Sequence, residues 1–206
     1  MSFDHEAFWS ARYRDAGDAY LFGTAPNKFL ASQAGHFGPG MTVLSVADGE
    51  GRNAVWLAEQ GCVVTAAEIS PVALKKGTKL AQVRRVTVTQ VEVDVLAWDW
   101  PVAVYDAVVG IFIQFAPPEE RTRQLEGMKR AVKAGGLVLL QGYTPRQLEL
   151  RTGGPSAREN LYTAELLQSF FADWEIMLLR EHEDVIAEGS AHAGRSALID
   201  LVARKP

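Results

Sequence analysis

Residues 42–54 read TVLSVADGEGRNA, and the fold turns on this stretch. Thr42 to Ala47 is short, apolar and rich in β-branched residues, which predicts a buried strand. Gly49 and Gly51 follow. Arg52 to Gln60 then carries Ala54, Val55, Leu57 and Ala58 at helical spacing, and Gly61 stops it. Strand, glycine turn and helix form the opening of a βαβ unit. The alternation continues downstream. Cys62 to Ala67 is a second strand, and Ser70-Pro71 opens a helix to about Gln82, with serine as N-cap and proline at the first position. Val86 to Val93 and Asp106 to Ile113 are the third and fourth strands. Pro118 to Ala134 is a helix ended by Gly135-Gly136, and Leu137 to Tyr143 is the fifth strand. Thr163 to Phe171 reads as a helix, and Trp174 to Ala187 with Ser196 to Ala203 as an antiparallel pair. Upstream, residues 3–22 are dense in aromatics, Leu21 to Asn27 is a turn, and Phe29 to Phe37 is a short helix closed by Gly38-Pro39-Gly40. Strands alternating with helices predict a doubly wound, mostly parallel α/β sheet.

Composition narrows the functional classes. Hydrophobic residues make up 48% and charged residues 22% of the 206, which excludes a disordered chain. A formal net charge of -4 argues against coating nucleic acid or an anionic membrane. Cys62 is the single cysteine, so a disulfide framework and a multi-cysteine zinc site are excluded. His5, His36, His182 and His192 lack metal-ligand spacing, so no metal is expected. No apolar run approaches the ~20 residues of a membrane helix. The first residues lack a signal peptide's basic start and apolar stretch, so a cytoplasmic protein is expected. Lys75, Lys76, Lys79, Arg84 and Arg85 read as a solvated basic face, and Cys62 as a core residue.

In doubly wound sheets ligands sit at the C-terminal ends of the strands. Gly49 and Gly51 lie there, placed for close approach of a ligand, although a glycine pair also fits an ordinary tight turn. Glu68 closes the second strand, where an acid can accept from ribose hydroxyls, and Asp94 follows the third, where it can receive an adenine amine. Gly49 to Ala54 also fits the dinucleotide pattern G-x-G-x-x-A. Asp48 and Glu50 argue against that reading, because two carboxylates repel a pyrophosphate. They suit an ammonium and a sulfonium, which S-adenosylmethionine carries together with an adenosine.

These segments resemble the class I S-adenosylmethionine-dependent methyltransferases. VLSVADGEGRN resembles their first motif, TAAEIS their ribose-binding strand end and VEVDVLAWDW their adenine-binding segment. YDAVVGIFIQF resembles the fourth-strand motif, and KAGGLVLLQGY the K-P-G-G segment. Trp9, Arg12-Tyr13, Tyr20 to Asn27, Thr152 to Pro155 and His192 to Leu198 are similar to the small bacterial tellurite-resistance and thiopurine-methyltransferase-like subgroup. The resemblance implies a Rossmann-like methyltransferase fold with seven strands and a terminal antiparallel hairpin. It implies one domain over residues 1–206: an aromatic lid and helices over 1–37, a cofactor core over 40–143, and a substrate loop, helix and hairpin over 144–206.

It also implies the site. Ala47, Asp48, Gly49, Gly51, Asn53, Glu68, Ile69, Ser70, Asp94, Val95, Leu96, Gly110 and Ile111 would bind S-adenosylmethionine. Trp9, Tyr13 and Phe22 would cover its methionine end, or pack the first helix, as Phe3 and Phe8 are expected to do. Candidates facing the acceptor or assisting catalysis are His192, Arg195 and Tyr143, with Arg146 nearby. Arg52 either pairs with a carboxylate at the pocket mouth or caps its helix. The acceptor is expected to be a small molecule, with soft sulfur, selenium or tellurium nucleophiles suggested, in a monomer or homodimer without nucleic acid or membrane. Four departures stand out. Ser45 replaces an acid, Ala47 a glycine, Ala134 a proline and Gln114 a frequent histidine. They leave room for a protein that binds the cofactor without transferring its methyl group. A nicotinamide-dependent oxidoreductase is the remaining alternative.

Overall fold

Seven strands form one mixed sheet in a computed structural model that describes residues 3–189 and 192–206. In chain order the elements are α1 (His5–Asp15), α2 (Lys28–Ser32), β1 (Thr42–Val46), α3 (Arg52–Glu59), β2 (Val63–Glu68), α4 (Pro71–Arg84), β3 (Val88–Glu92), β4 (Tyr105–Ile111), α5 (Pro118–Ala131), β5 (Val132–Tyr143), α6 (Gln147–Leu150), α7 (Ala164–Phe170), β6 (Glu175–Glu188) and β7 (His192–Arg204). A short 3-10 turn follows α2 and another precedes α7. The strand order is β3-β2-β1-β4-β5-β7-β6. This is the expected doubly wound, mostly parallel sheet with antiparallel strands at its C-terminal end. The chain falls into two compact units, one reaching Trp98 and including Glu188 and Gly189, the other comprising 99–187 and 192–206.

In the first unit β1 pairs in parallel with β2, and β2 with β3. Val43 and Leu44 of β1 are fully buried, as are Ala54 and Leu57 of α3. The two periods found in the sequence therefore converge on one core. In this unit side-chain oxygens of Asp4, Asn27 and Ser70 cap α1, α2 and α4, the Ser70 Oγ accepting from the Ala73 N–H at 3.2 Å. Each satisfies a donor that the first helical turn leaves open.

In the second unit β4 pairs in parallel with β5, and β5 antiparallel with β7 in the register Leu137↔Arg204 to Tyr143↔Leu198. The helix expected to reach Ala134 stops at Ala131, and β5 begins at Val132. Gly135 and Gly136 lie inside the strand's irregular start instead of ending a helix. Their backbone exchanges hydrogen bonds with Lys205 (Gly135 N–H to Lys205 O, 3.1 Å; Lys205 N–H to Gly136 O, 2.9 Å), and tertiary pairing overrides the local stop signal.

Among the described residues, no helix is long and apolar enough to cross a membrane. No group of three or more His, Cys, Asp or Glu side chains there is placed to hold a metal ion.

Candidate cofactor site

The loop after β1 turns through left-handed backbone. Ala47 has φ 48°, Gly49 φ 64° and Gly51 φ 93°. Only the two glycines adopt this conformation without strain, so Ala47 holds it at an energetic cost. Gly51 was expected to admit a ligand, but a Cβ there would lie 2.8 Å from Cα of Gly77 on α4. Its bareness lets a second helix approach the loop. At Gly49 a Cβ would lie 2.9 Å from the Tyr13 hydroxyl, so an aromatic side chain occupies the space beside it.

Two buried carboxylates organise the loop. Glu68 Oε2 accepts from the Gly49 N–H and Oε1 from the Ser70 N–H, each at 2.9 Å. Burial pushes the Glu68 pKa up, against the pull of these backbone amides. Asp48 is 8% exposed. Its Oδ1 accepts from Ser45 Oγ at 2.5 Å and the Ala54 N–H at 3.2 Å. Its Oδ2 is buried with no hydrogen-bond partner. Burial, reinforced by the charge of Glu68, pushes the Asp48 pKa up to about 7, while Ser45, the Ala54 amide and Arg52 oppose the rise. Ser45 thus holds the Asp48 carboxyl in place by one of its oxygens.

Glu50 corrects the sequence-level charge argument. It is 3% exposed, with Oε1 2.8 Å from Lys76 Nζ and Oε2 accepting from the Leu21 N–H at 2.7 Å. Its charge is neutralised inside the protein and adds nothing to the loop's appetite for a cation. Lys76 is corrected as well, since its side chain is 14% exposed and is not part of a solvated face. Its spacing from Ala73 and Leu80, both buried, places it beside the inward side of α4, and that spacing was the available signal.

The aromatic segment forms a ladder. Trp9 stacks on Tyr13 with ring centroids 6.0 Å apart, and Phe22 meets Tyr13 edge-on at 6.3 Å. Tyr13 is 4% exposed, and burial together with Glu68, Glu50 and Asp48 raises its pKa well above the ordinary value. Phe3 and Phe8 do not pack into a core. They are 60% and 42% exposed, because α1 turns Ser10 and Tyr13 inward, and Ser10 Oγ meets Ser70 Oγ at 2.8 Å.

The structure therefore brings Tyr13, Asp48, Gly49 and Glu68 together, with Trp9 and Phe22 around Tyr13. Asp94 is half-buried and its Oδ1 accepts from the Leu96 N–H at 2.9 Å, while Val95 is buried beside it. Ile69 is half-buried between Glu68 and Ser70. Two expected ligands are already committed to structure. Asn53 Oδ1 accepts from the Asn27 N–H at 2.9 Å, and the Ser70 hydroxyl caps α4. Arg52 does pair with a carboxylate, Glu188 Oε2 at 2.6 Å, whose Oε1 accepts from Asn27 Nδ2 at 2.9 Å. Glu188 carried no local signal, being distant in sequence from both partners.

The remaining candidates lie in the second unit. Gly110 and Ile111 end β4, and a Cβ at Gly110 would meet Ile113, Leu140 and Met128 within 3.0 Å, so this glycine serves core packing. Tyr143 is 1% exposed and stacks on Phe112 at 4.7 Å. Gln114 substitutes for a neighbouring strand: its Nε2 donates to Tyr143 O at 2.9 Å and its Oε1 accepts from the Tyr143 N–H at 2.5 Å. Arg195 is exposed and pairs with Glu183 at 2.6 Å, which Arg146 also approaches at 3.5 Å. The two guanidinium groups hold the Glu183 carboxyl below its ordinary range. His192 opens β7, and its side chain lies outside the described residues.

With this geometry in hand, known proteins give a consistent picture. Residues 43–136 match the family model of a methyltransferase domain. No curated protein matches the chain. A solved structure concerned with conversion of a disulfide bond into a thioacetal group during echinomycin biosynthesis is similar over 98% of this chain and 92% of its own, with a TM-score of 0.79 and 18% identity. TehB from Haemophilus influenzae is similar over 98% of this chain and 67% of its own, with a TM-score of 0.73 and 18% identity. The [4+2]-cyclase SpnF is similar over 97% and 92%, with a TM-score of 0.69 and 18% identity. At such identities these likenesses establish a shared fold, the Rossmann-like fold of the methyltransferases.

Proposed function

We propose that the first unit binds S-adenosylmethionine and that the protein transfers its methyl group to a small-molecule acceptor. The observation that carries this reading is the buried, unpartnered Oδ2 of Asp48 beside Glu68 on the glycine loop. A desolvated carboxylate oxygen without a donor is costly, and an ammonium group supplies the missing donor and charge. The Glu68 carboxyl closes β2 with its oxygens on the Gly49 and Ser70 amides, and an acceptor-only group there suits a ribose diol. Asp94 and the backbone at Val95 stand after β3 for the adenine. Tyr13, with Trp9 and Phe22 around it, excludes water from the loop.

When bound, the cofactor supplies a methyl group on a sulfonium leaving group, so the protein contributes alignment and a dry site. Burial of Tyr143 and the ion pair of Arg195 speak against either as a general base, and His192 is the candidate left for an acceptor that needs one. A soft sulfur, selenium or tellurium nucleophile needs none, and we assign the acceptor to that class. The likeness to a structure from disulfide-to-thioacetal conversion supports it. The nicotinamide alternative is disfavoured by topology: dinucleotide-binding sheets run 3-2-1-4-5-6, whereas here β7 lies antiparallel between β5 and β6.

A second reading, cofactor binding without methyl transfer, takes support from the cyclase that shares the fold. Two measurements separate the readings. Calorimetric titration is expected to show S-adenosylhomocysteine binding and no NAD binding. Transfer of labelled methyl to a panel of thiols, selenols, tellurite, amines and alcohols is expected to label the soft nucleophiles. Tight cofactor binding with no labelled product would favour the second reading, and NAD binding would overturn both.

A further inference from the structure

Lys76 stands at a junction of side chains and backbone groups drawn from three segments of the first unit. Its ammonium donates three hydrogen bonds, to Glu50 Oε1 at 2.8 Å, Tyr13 O at 2.9 Å and Ala19 O at 2.8 Å. All three of its protons are thereby used. Glu50 Oε2 accepts from the Leu21 N–H at 2.7 Å, and the Tyr20 hydroxyl donates to Lys76 O at 3.1 Å. One lysine and one glutamate, both mostly buried, therefore tie residues 13–21 to the glycine loop and to α4. This stretch includes Tyr13, whose hydroxyl fills the space beside Gly49.

We propose that Lys76, through Glu50, is a positioning residue that latches the aromatic segment over the cofactor loop and so sets how long a ligand stays. The inference rests on the reading of this unit as an S-adenosylmethionine site. The physical argument is one of alternatives. If residues 13–21 swing away, Lys76 and Glu50 keep each other but lose two carbonyl acceptors and an amide donor, at a junction that is part-buried at Tyr13 O and the Leu21 N–H and exposed at Ala19 O. Hydrogen bonds to charged groups are stronger than neutral ones. Elsewhere the segment is held at its two ends, by buried Tyr13 and by Tyr20 against Val55, Leu80 and Ala81, while Gly17, Asp18 and Ala19 between them are exposed.

The test compares the wild-type protein, Lys76→Met, and the double swap Glu50→Lys with Lys76→Glu. Amide hydrogen exchange of residues 19–23 is read without ligand, and the dissociation rate of S-adenosylhomocysteine by stopped flow. Lys76→Met is expected to speed exchange at Leu21 and its neighbours about tenfold and dissociation by a similar factor, the loss of one charge-assisted junction. The double swap re-forms an ion pair but sets a carboxylate against two carbonyls, so both rates are expected to stay high. Wild-type rates in Lys76→Met, or their restoration in the swap, would overturn the proposal. If Lys76→Met does not fold, Glu50→Gln keeps an acceptor for the Leu21 N–H and removes only the charge; faster exchange and release are expected, and wild-type rates again overturn the latch. A wild-type protein that binds no S-adenosylhomocysteine defeats the site reading, while ligand-free exchange still decides whether the latch exists.

Discussion

Replacing Asp48 by asparagine separates what this carboxylate costs the fold from what it does for a ligand. In the folded protein its pKa is raised from 3.8 to about 7, with burial the largest cause. That displacement of about three pH units is worth ~4 kcal/mol at about 1.4 kcal/mol each. The sign follows from proton linkage. Below pH 3.8 the carboxyl is protonated in both states and imposes no ionisation cost. As pH rises, the unfolded chain ionises first, so the native state is disfavoured progressively until about pH 7, above which the deficit is constant. Asparagine keeps an acceptor for Ser45 and the Ala54 N–H and never ionises. The stability of Asp48→Asn relative to wild type should therefore grow by about 2–3 kcal/mol between pH 5 and pH 8.

Urea unfolding of both proteins at the two pH values measures this, and taking the difference cancels most other titrations. The same substitution should weaken S-adenosylhomocysteine at least about tenfold, because the ammonium loses its counter-charge. In the wild type, affinity should rise with pH through about 7 as Asp48 becomes available in ionised form. A stability difference equal at pH 5 and pH 8 would refute the buried, raised carboxyl. Unchanged affinity would refute its assignment to the ligand's cation.

Three further substitutions test the frame around it. Ala47→Gly removes a left-handed alanine and should stabilise the protein by about 0.5–1 kcal/mol in denaturant unfolding. Gln114→Leu leaves the Tyr143 N–H and C=O without their side-chain partner and should cost about 2–4 kcal/mol by the same measurement. Glu68→Ala strips the Gly49 and Ser70 amides of their acceptor; it should lower the melting temperature and abolish measurable S-adenosylhomocysteine binding in a calorimetric titration.

The elements legible in the sequence were those fixed by period and punctuation. Residues 42–60 carried both, and β1, the loop and α3 fell within a residue or two of expectation. The start of β5 was not legible, because Gly135-Gly136 reads locally as a helix stop while its hydrogen bonds go to Lys205, far along the chain. Phe3 and Phe8 failed for a related reason. Aromatic character predicts burial on average, but the inward side of α1 is set by the Ser10–Ser70 contact and by Tyr13 on Gly49, and neither is visible as a hydrophobic stripe.

Charge was the hardest quantity to read, and the glycine loop shows why. Asp48 and Glu50 are two residues apart, both acidic and both buried, and a sequence can only add them. The structure treats them oppositely. Glu50 is matched by Lys76 and spends both oxygens within the protein, so it holds the chain. Asp48 is matched by a neutral serine and a backbone amide on one oxygen, with the other left empty-handed. A serine at position 45 first looks like the loss of a binding acid. Yet a second acid at 45 would sit within reach of Asp48 and force one of the pair to hold a proton. Serine at 45 and aspartate at 48 are thus one arrangement: the hydroxyl orients the carboxylate without adding a second charge beside it. Substituting Ser45→Asp should therefore raise the Asp48 pKa further and fail to improve cation binding near neutral pH.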